Sequence, residues 1–293
     1  MSKNSDFSSS WIKYSDYELK TIEEETYIKP IHTSKYEHYN PFDVKDKILV
    51  DLLMIGRLIG ISETEVANKK VIEFVKNYGL LGFLAYTPLN SNILMQKNVY
   101  LPKGNDIIGK ETISTKDYIN LFLKCDDKKI IQLHEMKNNS YSVSFSNEMN
   151  PTMLLNKPLE YGIVFSKGYS EKLSWILKYA EHLYLEFFSI ERYYLFDEPQ
   201  EKKVADIYIK TLKPYNISCE IALNEKPDLK WDFNSLKLAL DTMFVLEMTA
   251  EKKKLKICKK CWNPFYSENI KAEYCSPQCR NQANVYKSRN KNK

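Results

Sequence analysis

Glycine and proline are scarce in this chain, 8 and 11 among 293 residues. Long helices are therefore little hindered by backbone breakers. No apolar run is long enough to span a bilayer, and the best candidate, "ILVDLLMIG", is interrupted by Asp51. The opening "MSKNSDFSSSWIK" lacks the apolar segment that directs secretion. These absences predict a cytoplasmic protein with no membrane partner. In a reducing compartment, clustered cysteines bind metal or do redox work more often than they form disulfides.

Signatures of enzymes are missing too. There is no G-x-S-x-G, no H-E-x-x-H and no G-x-G-x-x-G. "GNDIIGKET", Gly104 to Thr112, comes near a phosphate loop, but Glu111 stands where a magnesium-binding hydroxyl belongs. It reads as a surface loop. His182 and Glu186, four apart on an expected helix, read as a helix-surface contact. His134 and Glu135 fall on an expected strand, where neighbours face opposite sides. Cys125 and Cys219 are isolated and read as buried thiols. No catalytic residue is expected, and the chain does not read as an enzyme.

What is present is a core. Apolar residues make up 43% of the chain, with 21 tyrosines and 13 phenylalanines. These rings read as core and half-buried surface; no position along the sequence marks any of them for stacking on bases. Residues 1–40 are polar, with short possible strands. Helical periodicity predicts a helix from Asp43 to Leu58. Ser62 and Glu65 stand in capping-box register for a second helix that Gly79 closes. "GLLGFLAYTPL" follows as a buried run. Helices are expected over Thr115–Leu123, Ser170–Tyr194, Val204–Leu212 and Asp232–Ala250. Strands are expected at "NVYLP", "KKIIQLHEM", "SYSVSFSN", "PLEYGIVFS" and "NISCEIAL". The fold class is α+β: a helix-rich body with a few short strands, residues 1–253, followed by a small finger at residues 254–293.

Four of the 6 cysteines fall in that last segment. Cys258 and Cys261 form C-x2-C, and Cys275 and Cys279 form C-x3-C thirteen residues later. Structural zinc takes four soft ligands in a tetrahedron. A two-residue gap lets one knuckle aim two sulfurs at one ion, and the span between the pairs suffices for a short hairpin that brings the second pair back. Ser276 is a candidate N-cap with Pro277 at the first helical position, which puts Cys279 in the first turn of a helix. Knuckle, hairpin and helix make a treble clef holding one structural zinc. Four cysteines leave no open coordination position, so a catalytic zinc is not expected. The finger contains no histidine, which excludes a nuclease of the HNH kind.

The stretch "CKKCWNPFYSENIKAEYCSPQCRNQANVYKSR" resembles the C-terminal CGNR-type zinc finger of bacterial regulators that carry an N-terminal ABATE domain. It is also similar to other small bacterial treble clefs of the FCS type. The match rests on the knuckle, Phe265, "YCS" and Asn281, with Ala283, Val285 and basic residues beyond. After Cys279 the chain reads Arg-Asn-Gln where the family name implies Gly-Asn-Arg, with Arg280 available in place of the missing arginine. The resemblance covers about 32 residues; for residues 1–253 it implies at most an ABATE-like body for sensing or dimerisation. It implies a DNA-binding transcriptional regulator.

Charge points the same way. From Glu251 to Lys293 there are 12 Lys/Arg against 3 acids, while the other 250 residues carry 31 against 35. A basic tail on an acidic body suits a polyanion partner. Arg280, Asn284, Lys287 and Lys291 line one face of the expected helix, with Asn281 beside them; Arg280, Asn281, Asn284, Lys287 and Arg289 are the expected nucleic-acid contacts. The expected partner is nucleic acid, DNA before RNA, with further affinity from a second copy, as a homodimer, or from extra contacts. The competing readings are a finger that docks a protein, and an enzymatic body that the finger only docks. Ala283, Val285 and Tyr286 are expected to pack on Phe265 and Tyr266.

Overall fold

The computed structural model describes residues 9–22, 24–31, 33–83, 98–100, 112–114, 131–136, 140–145, 169–195, 218–223, 227–233 and 235–291. The architecture is α+β, with helices and small antiparallel sheets. The chain divides into two compact units, Met1–Asp43 with Val71–Ile176 and Lys213–Ala239, and Val44–Lys70 with Leu177–Leu212 and Leu240–Lys293.

In the first unit, β1 (Trp11–Tyr14) pairs with β4 (Tyr36–Tyr39). β2 (Tyr17–Ile22), β3 (Glu25–Pro30) and β9 (Glu171–Lys172) form a three-stranded sheet. The hairpins β5 (Asn98–Tyr100) with β6 (Thr112–Ser114), β7 (Ile131–Met136) with β8 (Ser140–Phe145), and β10 (Ser218–Leu223) with β11 (Pro227–Asp232) are all antiparallel. The polar N-terminal stretch is thus largely sheet, and its tyrosines do the packing: Tyr14, Tyr17 and Tyr27 are buried with Ile12 and Ile28.

The "GLLGF" run, residues 79–83, is irregular and buried. Buried backbone amides need partners, and here one side chain supplies three. The Glu171 carboxylate accepts the N–H groups of Leu81, Gly82 and Phe83 at 2.8, 2.6 and 2.9 Å and the Tyr169 hydroxyl at 2.7 Å. Burial pushes its carboxyl above the ordinary range, and these four donors work against that shift. Trp11 Nε1 donates to the Leu80 carbonyl at 3.0 Å. Gly79 (φ +89°) and Gly82 (φ +74°) sit where side chains are strained, and a Cβ on Gly79 would lie 2.5 Å from the Ile12 carbonyl.

The second unit contains α1 (Lys45–Gly60), preceded by a short 3-10 turn at Pro41–Val44. It also takes residues 64–70 of α2 (Thr64–Tyr78), most of α3 (Leu173–Leu195) and most of α4 (Leu236–Thr249). Ile48, Leu49, Leu52, Leu53 and Ile55 from α1 are buried, as are Leu183 and Phe187 from α3 and Leu240, Met243 and Phe244 from α4. Gly56 explains how α1 meets α3. A Cβ there would come within 2.6 Å of Tyr184 Cβ, and closer still to the Ala180 carbonyl oxygen. The crossing tolerates only hydrogen, which outweighs the helix penalty of glycine, about 1 kcal/mol. The Tyr179 hydroxyl donates to buried Asp241 at 3.0 Å, and Lys45 pairs with Glu247 at 2.8 Å.

Several boundaries differ from the sequence reading. Ser62 does not cap α2, which begins at Thr64. It ends α1 instead: Ser62 N–H donates to Ile59 and Glu63 N–H to Leu58, with Ser62 at φ +64°. That is a Schellman ending with serine in the place glycine favours. The helix expected from Asp232 starts at Leu236, because Pro227–Asp232 pairs with β10. Expectations at Thr115–Leu123, "PLEYGIVFS", Val204–Leu212 and residues 104–111 of the loop lie outside the described residues. Among the described residues, no helix is long and apolar enough to cross a membrane.

Candidate metal centre

Two short strands frame the knuckle. β12 (Leu255–Ile257) and β13 (Pro264–Tyr266) pair antiparallel, Leu255 opposite Tyr266 and Ile257 opposite Pro264. Residues 258–263 are the turn between them. Cys258 N–H donates to the Asn263 carbonyl and Trp262 N–H to the Cys258 carbonyl, both at 2.9 Å. The hairpin therefore encloses the first cysteine pair; it does not fill the span between the pairs as the spacing suggested. The chain returns by a loop pinned with lysines. Lys256 Nζ donates to the carbonyls of Asn269 at 3.1 Å, Ala272 at 3.2 Å and Ile270. Lys259 N–H donates to the Glu273 carbonyl at 3.0 Å, and its ammonium pairs with the Glu273 carboxylate at 2.6 Å.

The second pair sits as its sequence suggests. The Ser276 hydroxyl accepts the Cys279 N–H at 3.2 Å, and α5 (Pro277–Lys291) starts at the proline. All four sulfurs lie within 4.8 Å of one another, and Cys275 Sγ is 3.6 Å from both Cys261 Sγ and Cys279 Sγ. A tetrahedron with 2.3 Å metal–sulfur bonds needs sulfurs about 3.8 Å apart. The cluster is close enough to hold one metal ion. Cys258 is buried, Cys261 and Cys279 are half-buried and Cys275 is exposed.

The cluster's charge is managed unevenly. Burial works against the Cys258 thiolate, but the backbone N–H groups of Cys261, Cys275 and Lys260 outweigh it and bring that thiol down to about 7. Cys275 is pushed up to about 12, by burial first and then by the neighbouring cysteine sulfurs. Cys261 also rises, mainly through burial. Four thiols this close give up protons reluctantly unless a cation takes their place.

The helices of the second unit grip the knuckle through its carbonyls. Arg57 Nη2, on α1, donates to the Cys261 carbonyl at 2.6 Å. The Tyr184 hydroxyl, on α3, donates to the Trp262 carbonyl at 3.1 Å. Glu191 accepts the Ile257 N–H at 3.4 Å and pairs with Lys253. Phe188 meets the Trp262 ring edge-on, centroids 5.5 Å apart. None of these partners is marked by any local motif.

Of the expected nucleic-acid contacts, Arg280, Asn281 and Asn284 are exposed on α5. Lys287 and Arg289 lie on the same helix, their side chains outside the described set. Of the residues expected to pack on Phe265 and Tyr266, Ala283 is half-buried, while Val285 and Tyr286 are 51% and 63% exposed. β13 packs against α1, and Lys260 in the hairpin turn places its ammonium over the Tyr286 ring, 5.8 Å from its centroid. His182 and Glu186 form a 3.0 Å contact on the α3 surface. His134 lies on β7 and Cys219 on β10, with side chains undescribed, and Cys125 is outside the described residues. Neither a protein-family model, a curated protein nor a solved structure matches this chain.

Proposed function

We propose that this is a regulatory protein that binds nucleic acid through α5 and the knuckle, with one structural zinc held by Cys258, Cys261, Cys275 and Cys279. The donor set supports zinc: four thiolates at tetrahedral spacing suit a soft, closed-shell site. The observation that carries the nucleic-acid reading is the exposure of α5. Over residues 277–286 only Cys279 and Ala283 are half-buried, and the rest face water. A helix of 15 residues gains little stability by itself, yet this one keeps its polar and basic face without a partner. Many finger cations already have duties, at Glu191, Glu268, Glu273 and the loop carbonyls. Among the described residues Lys252, Lys271 and Arg280 have no acidic partner, leaving them available for phosphate.

The test is fluorescence anisotropy of the zinc-quantified chain with duplex DNA, single-stranded DNA and structured RNA over a salt series. Affinity is expected to fall steeply with salt, and Arg280→Ala to shallow that slope by about one unit. Salt-insensitive association lost on changing Ile270 or Val285, which are 53% and 51% exposed, would favour a protein-docking finger instead.

A further inference from the structure

Trp262 occupies a position that does not suit it. Its φ is +62°, the left-handed region where a bulky side chain is an outlier. Glycine would satisfy that backbone at lower cost, and the contact with Phe188 uses only part of the ring. The residue is held in place: the Tyr184 hydroxyl donates to its carbonyl, and Phe188 makes a T-shaped contact with its ring. Even so it stays 40% exposed. Strain retained for a displayed ring points to use of that ring.

Tyr286 is the second displayed ring, 63% exposed on α5. Lys260 links the two, with its ammonium over the Tyr286 ring and its backbone two residues before Trp262. Two exposed rings and a cation, on a segment with 12 basic and 3 acidic residues, have a specific complement. Unpaired bases stack on rings, while phosphates follow the cations. A duplex buries its base faces against one another and offers nothing to stack on.

We infer that Trp262, Lys260 and Tyr286 form a stacking platform for unpaired bases, so that the partner is a single-stranded nucleic acid. This rests on the proposed nucleic-acid reading and narrows it. Preorganisation of Trp262 lowers the ordering cost of binding.

The experiment measures binding of the full zinc-loaded chain to an oligo-dT and an oligo-rU, each about twelve nucleotides long, and to a duplex of the same length. Two variants accompany it. Trp262→Gly removes one ring while suiting the positive φ, and Tyr286→Ala removes the other from an exposed helical site; zinc content reports that both fold. Single strands are expected to bind at least about tenfold tighter than duplex. Each variant should weaken single-strand binding at least about fivefold, with the salt slope and duplex binding unchanged. Equal binding of single strand and duplex, or ring variants that match the parent, overturns the stacking platform and leaves the nucleic-acid reading standing. No binding to any probe at low salt overturns both and leaves the rings to a protein partner.

Discussion

Residues 79–83 and residues 258–275 set the chain the same problem and receive opposite answers. Both are largely irregular backbone with polar groups withdrawn from ladder hydrogen bonds. In residues 79–83 the groups to be satisfied are amides, and the partner is an anion, Glu171. In residues 258–275 they are carbonyls, and the partners are donors: Arg57, Tyr184 and Lys256. The sign of the side chain follows the exposed half of the peptide group. The second segment also gathers four thiols within 4.8 Å of one another. The first is satisfied by the chain's own side chains; the second also carries a cluster that could hold a metal ion.

The largest test of that difference is metal removal. Chelation is expected to destabilise β12, β13 and α5 by on the order of 10 kcal/mol. Hydrogen exchange should rise sharply there while the amides of Leu81, Gly82 and Phe83 stay protected. Retention of the metal should depend on pH in one direction. Cys261 and Cys275 both hold their protons above the ordinary thiol range in the metal-free cluster. Loading an ion must displace at least these protons near neutrality, so affinity should rise by about a hundredfold or more per pH unit. Acidification should therefore release the metal, which a chromophoric chelator would record.

Glu171→Gln probes the other segment. One carboxylate oxygen becomes an amide that faces a backbone N–H, leaving a buried donor unsatisfied. A loss of about 2–4 kcal/mol in denaturant unfolding is expected, with metal affinity unchanged. A fall in metal affinity would show the two segments to be coupled.

Much of the second segment was legible in the sequence and little of the first. Cys258, Cys261, Cys275, Cys279, Ser276 and Pro277 announce themselves because ligand type, spacing and capping are local properties. Glu171 does not, since its amide partners lie 88 to 90 residues away. Arg57 and Tyr184 reach carbonyls 204 and 78 residues away and resemble any surface residue of a helix. In residues 11–39 short strands were legible as possible, but their bounds and pairing were not, because they depend on partners distant in sequence. Ser62 misled for a different reason: one helix ends and the next begins within four residues, so a terminator passed for a cap.

Smaller effects refine the comparison. Tyr184→Phe should cost about 1 kcal/mol and lower metal affinity, because the Trp262 carbonyl loses its donor. Arg57→Ala should cost more, about 2 kcal/mol, since its donor is charged. Metal competition titrations on both variants check the link. Ser62→Gly should stabilise the chain by up to about 1 kcal/mol in thermal unfolding, relieving a positive φ that serine adopts at a cost.

Gly56 gives the second unit a gauge. The missing carbon at that position sets the stand-off between α1 and α3, and the two helices carry Arg57 and Tyr184 one residue and none away from the contact. Any side chain added there acts as a wedge. It spreads the two arms of a clamp whose jaws close on consecutive carbonyls of the knuckle. The grip on the cysteine-bearing turn is thus calibrated by an atom that is not there.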